Sequence, residues 1–200
     1  GRIIASASDD KTVKLWDSQS GEEFKRPRFI HEKSVHQVAF RPDGKIIATK
    51  ATYSPITLWS IQSGNKIKSM KDSDSGPSMP FSFSPDGKTI KGAASIGAEV
   101  KLWDCQSGEI KGALTSGLRG LNAVAFSPDG KTIACHGDKA ITLWDSQTGE
   151  LVQTILTGCL RVAFAFSPNG KTIACTREPR FGFGVWEDTT AVFDLYDCQS

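Results

Sequence analysis

The side chains with chemical capacity in this 200-residue chain are few and widely separated. His31, His36 and His136 are its three histidines, and none stands within a Cys/His set of the kind that holds zinc. The five cysteines, Cys105, Cys135, Cys159, Cys175 and Cys198, include no C-x-x-C pair, and their number is odd. Asp43, Asp86 and Asp129 each follow a proline in a separate turn, which makes them turn formers rather than an acid–base pair. There is no G-x-x-x-x-G-K-[ST] phosphate loop and no G-x-S-x-G nucleophile elbow. The residues therefore point to no catalytic, cofactor-binding or metal site, and a non-enzymatic chain is expected.

Composition narrows the partners. Lys+Arg at 24 against Asp+Glu at 22 leaves a net charge of +2, too balanced for nucleic acid or an anionic membrane as the main partner. Apolar runs such as "GRIIASAS" and "NAVAFS" are far shorter than a membrane span, and no signal peptide opens the chain. Cys135 and Cys175 share the frame "KTIAC", and Cys105 and Cys198 share "DCQS". Cysteines placed by repetition read as small fillers, which fits a reducing compartment, the cytoplasm.

What positions these residues is a repeat. "TVKLWDSQSG" at 12–21 returns as "PITLWSIQSG" at 55–64, "EVKLWDCQSG" at 99–108, "AITLWDSQTG" at 140–149 and "AVFDLYDCQS" at 191–200. The aromatics Trp16, Trp59, Trp103, Trp144 and Tyr196 are spaced by 43, 44, 41 and 52 residues. "RPDG" at 41–44, "SPDG" at 84–87 and 127–130, and "SPNG" at 167–170 keep step with them. Each period predicts four short strands. A β-branched or aromatic run such as "LNAVAF" ends in the S-P-D-G turn, and "KTIAC"-type strands follow. The Leu-Trp strand comes third, and a Q-S-G turn leads to a more polar fourth strand such as "NKIKSM" or "ELVQTI". No helical period is sustained. The units run about 1–21, 22–64, 65–108, 109–149 and 150–200.

Four-stranded antiparallel units of this length suit blades of a β-propeller. "FSPDGKTIA" followed by "ITLWDSQTGE" resembles the WD-repeat family, over essentially the whole chain. The resemblance implies a ring, usually of seven blades, that acts as a binding platform. It also implies a hydrogen-bonded set in each blade joining a His before the first strand, a Ser or Thr on the second, an Asp before the third, and the Trp. The matching residues are Ser6, Asp10 and Trp16 in the first unit and His31, Thr49 and Trp59 in the second, where Tyr53 replaces the Asp. The third keeps Trp103 alone, with Ala93 and Gly97 at the polar positions. The fourth keeps Asp138 and Trp144, with Cys135 at the hydroxyl position, and the fifth keeps Tyr196. No set is complete, so a ring less stable than the family ideal is expected.

The strand count predicts about four and a half blades, a partial or open ring beginning at a second strand and stopping after a third. This reads as a fragment of a longer array, with self-association through open blade edges as the other reading. One departure from the repeat stands out. From the Lys opening the second strand to the third-strand aromatic is 14 residues for Lys45–Trp59, 15 for Lys88–Trp103, 13 for Lys131–Trp144 and 25 for Lys171–Tyr196. The extra "REPRFGFGVWEDTT", 177–190, holds Arg177, Arg180, Phe181, Phe183 and Trp186, a composition favoured in interface anchors. Packing of its aromatics back on the blade is the competing expectation. "EEFKRPRFIHEK" and "KDSDSGP" read as loops between blades. The near-uniform repeats are similar to the arrays that follow NACHT-type signalling ATPases, which implies a ligand- or partner-sensing role. A constitutive scaffold or adaptor, such as a ubiquitin-ligase substrate receptor, is the alternative. Other proteins are the expected partners in both.

Overall fold

The structure, a computed structural model, describes residues 2–71, 80–93, 99–115, 121–157, 163–177 and 192–198. Among these, eighteen strands form five antiparallel sheets, and there is no helix. The first sheet holds β1 (Ile3–Ala7), β2 (Thr12–Asp17) and β3 (Phe29–Ile30). The second holds β4 (Val35–Phe40), β5 (Ile46–Ala51), β6 (Thr57–Ser60) and β7 (Lys66–Ser69). In the third are β8 (Phe81–Phe83), β9 (Thr89–Ala93), β10 (Glu99–Asp104) and β11 (Ile110–Thr115). The fourth comprises β12 (Ala123–Phe126), β13 (Thr132–Gly137), β14 (Ala140–Asp145) and β15 (Leu151–Leu156). The fifth has β16 (Phe164–Phe166), β17 (Thr172–Arg177) and β18 (Val192–Asp197). Each sheet is a meander in chain order, as expected of propeller blades. Inner strands of neighbouring sheets, β4 and β8, β8 and β12, β12 and β16, lie against one another. They form the inner side of an arc that does not close into a ring.

The Leu-Trp dipeptide follows from a sheet buried on both faces. Successive residues of a strand point to opposite faces. Leu58 packs with Phe81, Phe83 and Ile90 of the third sheet, while Trp59 packs with Val13, Leu15 and Phe29 of the first. Leu143 and Trp144 divide in the same way between the fifth and third sheets. The apolar interior is thus four cores, one between each pair of adjacent sheets.

The turns fix the register. In S-P-D-G, Ser84 Oγ donates to Asp86 Oδ1 at 2.6 Å and accepts the Thr89 N–H at 3.1 Å, while Asp86 accepts the Lys88 N–H at 3.0 Å. Ser127–Asp129 and Ser167–Asn169 repeat this pattern at 2.6 and 2.7 Å. In the second unit Arg41 replaces Ser, and its guanidinium forks onto Asp43. In the turn after the Trp, Asp17 Oδ1 takes the N–H groups of Gln19 and Ser20 at 2.8 and 2.9 Å. Asp104 and Asp145 do likewise with Gln106 and Ser107, and with Gln147 and Thr148. These donors hold Asp17 and Asp145 below the usual carboxylate range, and Asp104 is lowered further, chiefly by Lys111.

Two sequence expectations are corrected. The segment "EEFKRPRFIHEK" is not wholly a connecting loop. Glu23 bridges Trp16, and Phe29 and Ile30 pair with Val13 and Thr12, so it supplies the outer strand of the first sheet. From Glu23, opposite Trp16, to Phe29, opposite Val13, this segment runs two residues longer than the counterpart from Lys66 to Met70 in the second sheet, and Phe29 is fully buried. The second correction concerns Ala93. Ser6 and Thr49 stand two residues after the partner of their Trp, and in the third sheet this register falls on Gly92. One additional residue in the third repeat shifts a count made back from Trp103.

Ser60 stands where the other turns have Asp, and among the described residues its Oγ accepts only the Ser63 N–H, at 3.3 Å. Ser60→Asp is therefore expected to stabilise the chain by about 0.5–1.5 kcal/mol, raising Tm by roughly 2–4 °C. The new carboxylate accepts in its ionised form, so the gain holds at neutral pH and disappears as pH falls below about 4. Thermal unfolding at pH 7 and pH 3 checks this. An unchanged Tm at pH 7 would show that the turn gains nothing from a carboxylate.

Candidate functional site

The residues implied by the family resemblance lie at the buried joints of the sheets. In the first sheet the Trp16 indole N–H donates to Ser6 Oγ at 2.9 Å, but the Asp10 carboxylate turns to the Thr12 N–H and hydroxyl at 2.9 and 2.6 Å. In the second, Trp59 donates to Thr49 Oγ1 at 2.8 Å. His31 sits edge-on to Trp59 with ring centroids 5.0 Å apart, and its buried Nε2 has no hydrogen-bond partner among the described residues. Burial, helped by Lys66, lowers its pKa, so the ring stays neutral. Tyr53 is exposed, with the Lys33 ammonium 5.6 Å from its ring centre.

Where the hydroxyl is missing, the indole finds another acceptor. Trp103 is fully buried and donates across the sheet joint to the Lys71 carbonyl at 3.1 Å. A Cβ on Gly92 would lie 3.1 Å from Trp103 Cζ3, so the absence of a side chain is what admits the ring. Trp144 donates to Thr142 Oγ1, on its own strand, at 2.9 Å. Asp138 forms the β13–β14 turn with Lys139, both at positive φ. Tyr196 pairs with Ile173 and packs in the core between the last two sheets. The eroded sets therefore leave no indole N–H of these four unsatisfied, and the expected cost of erosion falls elsewhere.

The candidates for chemistry are dispersed. His36 Nε2 lies 2.5 Å from Thr52 Oγ1 at the surface, and His136 is buried on β13. Among the described residues Cys105, Cys135, Cys175 and Cys198 form no disulfide, and Cys159 lies outside the described residues. Burial pushes the Cys105 thiol up to about 11 and Cys135 up to about 12, so neither supplies the thiolate that nucleophilic chemistry needs. Among the described residues no group of three His, Cys, Asp or Glu converges on a point. Arg180, Phe181, Phe183 and Trp186 lie outside the described residues, and of Arg177 only the backbone, the end of β17, is described.

Three features escaped the sequence reading. Gln37 clamps the second sheet to the third, donating to Phe81 O at 2.8 Å and accepting Phe81 N–H at 3.0 Å. The positively charged segment 25–28 borders an open groove with the turn 62–65. Lys91 occupies the position held by Ala48, Ala134 and Ala174 in other sheets, one residue after the partner of the aromatic. It is 2% exposed, its ammonium 4.9 Å from the Phe126 ring centre in the joint between the third and fourth sheets. The signal for Lys91 was present as "KTIK" where the repeat has "KTIA". Gln37 gave no signal, because its partner is a backbone 44 residues away.

Residues 1–17 and 108–145 match the family model described as WD domain, G-beta repeat. A stretch of 45 residues is 47% identical to the Nuclear distribution protein PAC1 of Coprinopsis cinerea, covering 22% of this chain and 10% of that protein. The match therefore spans about a tenth of that relative's length.

Burial pulls the Lys91 pKa down to about 8, with Cys135 and Asp145 opposing. The folded state thus binds fewer protons than the unfolded one between about pH 8 and 10.5, and stability rises with pH across that window. The rise is roughly 3 kcal/mol. Lys91→Met is expected to raise stability at pH 7 and to flatten this slope relative to the unsubstituted chain. Denaturant unfolding from pH 7 to 10.5 checks it, and parallel curves for the two proteins would place the ammonium in water.

Proposed function

We propose that this chain of WD repeats is a non-catalytic protein-interaction platform, the partner-sensing array of a larger signalling protein. WD repeats are protein-interaction domains. The observation that carries the reading is a contrast within the repeats. The framework pairs are constant, with Trp16 opposite Ile4, Trp59 opposite Ile47, Trp103 opposite Ile90 and Trp144 opposite Ile133. The connecting segments differ in length and charge from unit to unit. A rigid frame with variable connections is the arrangement recognition requires.

The carboxylates of the turns are engaged by turn N–H and hydroxyl groups, which supports a structural rather than a catalytic use of them. The balanced charge supports proteins, rather than nucleic acid or a membrane, as partners. Four cysteines outside any disulfide among the described residues support a reducing compartment such as the cytoplasm. Within the array, Arg177, Arg180, Phe181, Phe183 and Trp186 are the proposed contact residues of the 177–190 insertion. A constitutive scaffold or adaptor, such as a ubiquitin-ligase substrate receptor, is the second reading. It shares the same framework evidence. Self-association through open blade edges is a further proposed property.

Photo-crosslinking in cells, from a benzophenone side chain at position 183, is expected to trap a partner protein. The combined Arg177→Ala, Arg180→Ala and Trp186→Ala change is expected to weaken that capture at least tenfold while leaving Tm within a few degrees. Unchanged capture would move the contact away from the insertion, and no protein trapped from any connecting segment would sink the platform reading. Reading the coding sequence upstream separates the finer roles. A phosphate-binding loop there favours the sensor, and an F-box-like helical segment favours the adaptor.

A further inference from the structure

The joint between the first and second sheets differs from the next joint at one corner. In the first four units the glycine closing the Q-S-G or Q-T-G turn sits at positive φ. Gly108 and Gly149 face the outer strands β7 and β11 of the preceding sheets, and Gly64 faces Pro27, just before β3. Added Cβ atoms there would lie 2.7 Å from Pro27 Cβ, 2.9 Å from Lys68 Cδ and 2.8 Å from Leu114 Cδ2. Between the second and third sheets this corner is filled. Lys68 crosses it and donates to the carbonyls of Gln106 and Ser107, at 2.7 and 3.1 Å.

Between the first and second sheets, Pro27 stands against Gly64 as Lys68 stands against Gly108. Proline has no ammonium to lay across the turn. The two extra residues of the segment that leads into β3 instead carry cations outward, and Lys25, Arg26 and Arg28 are all exposed. An open groove of about 780 Å³ results, lined by Lys25, Arg26, Pro27 and Arg28 on one side and by Gln62 to Asn65 on the other. Its size falls within the ~300–1,000 Å³ of ligand sites. Among the described residues no carboxylate lines it. Among the described residues none of the three cations is ion-paired, while nearby Glu23 is held by Lys14 at 3.2 Å. Lys66, which acts electrostatically on His31, adds charge beside Asn65.

We propose that this groove docks an acidic peptide segment of a partner protein, with carboxylates on Lys25, Arg26 and Arg28 and peptide groups on the amides of Gln62 and Asn65. The assignment rests on the platform reading and gives it a location and a chemistry. Charge complementarity selects the acid, since a cleft with one sign of charge and no internal counter-ion concentrates the opposite sign. Guanidinium groups fork onto carboxylates. A peptide fits better than a nucleic acid because among the described residues no aromatic ring lines the groove to stack a base, and a chain of net charge +2 offers no extended field for a polyanion.

The test is fluorescence anisotropy of the full 200-residue chain with a labelled octapeptide of alternating Glu and Ser. The controls are the Gln counterpart, inorganic phosphate as competitor, a labelled oligo-dT, and vesicles containing phosphatidylserine. Binding is expected to be at least tenfold tighter for the Glu peptide than for its Gln counterpart. Lys25→Ala, Arg26→Ala and Arg28→Ala together should weaken it at least tenfold. Gln62→Trp, which leaves charge unchanged and fills the groove, should do the same, with thermal unfolding confirming that both variants fold. If only the charge variant loses binding, the attraction is diffuse and the groove assignment fails. Equal binding of the Gln peptide, or tighter binding of oligo-dT or the vesicles, also overturns it. Continued photo-capture of a partner by a groove variant, alongside a failed peptide assay, would reject the groove and leave the platform reading intact.

Discussion

Everything in this chain depends on the burial of one strand on both of its faces. In the second, third and fourth sheets the third strand of the unit lies inside its sheet, and that sheet lies between two others, so residues on it serve different cores. Leu58 and Trp59 belong to different clusters for this reason, as do Leu143 and Trp144. The constraint makes Leu-Trp the most regular feature of the sequence. It also explains why the flanking turns are so uniform. A one-residue slip in a strand exchanges its two faces, so the S-P-D-G and W-D-x-Q-x-G turns, which set register through Asp and Ser side chains, guard the packing directly.

The indole N–H is the second demand of that buried strand. A donor placed in an apolar joint without an acceptor costs about 1–3 kcal/mol, and four tryptophans meet the demand in three ways. Trp16 and Trp59 use the hydroxyl of the neighbouring strand, Trp144 uses one on its own strand, and Trp103 uses a backbone carbonyl. The residue identities that the family resemblance implies can therefore be lost while the physical requirement is met. Counting missing members of the set overstates the loss of stability. The positions that do carry a cost are of another kind, such as the Lys91 ammonium wedged where the repeat has alanine.

The fold was legible because its causes are local. Alternating apolar runs, turn residues and a period of about forty lie within a few residues of one another, and repetition let each unit check the next. What failed was whatever depended on counting across a change in length. One additional residue in the third repeat turned Gly92 into Ala93 at the hydroxyl position. Two extra residues hid the outer strand of the first sheet inside an apparent loop, although the buried Phe29 occupies the core position that Met70 fills in the second sheet. The site was less legible than the fold, since a groove is made by two segments that meet only in three dimensions. The sequence drew attention to residues 177–190, most of which lie outside the described residues.

Repetition also locates function by subtraction. A residue that recurs in every unit is explained by the joint it builds, so the positions able to distinguish one partner from another are those where a unit breaks the pattern. Lys91 breaks it inside a joint, where water and partners have no access, and its effect is confined to stability. Pro27 breaks it at a corner open to solvent. There the loss of one lysine contact removes an internal use of positive charge, and the inserted residues return that charge to the surface. The same substitution that weakens a joint thus leaves cations without internal partners, and an external acid is the simplest group to complete them. Stability and recognition compete for the same corner of the blade, and the second and third sheets show the outcome in which stability takes it.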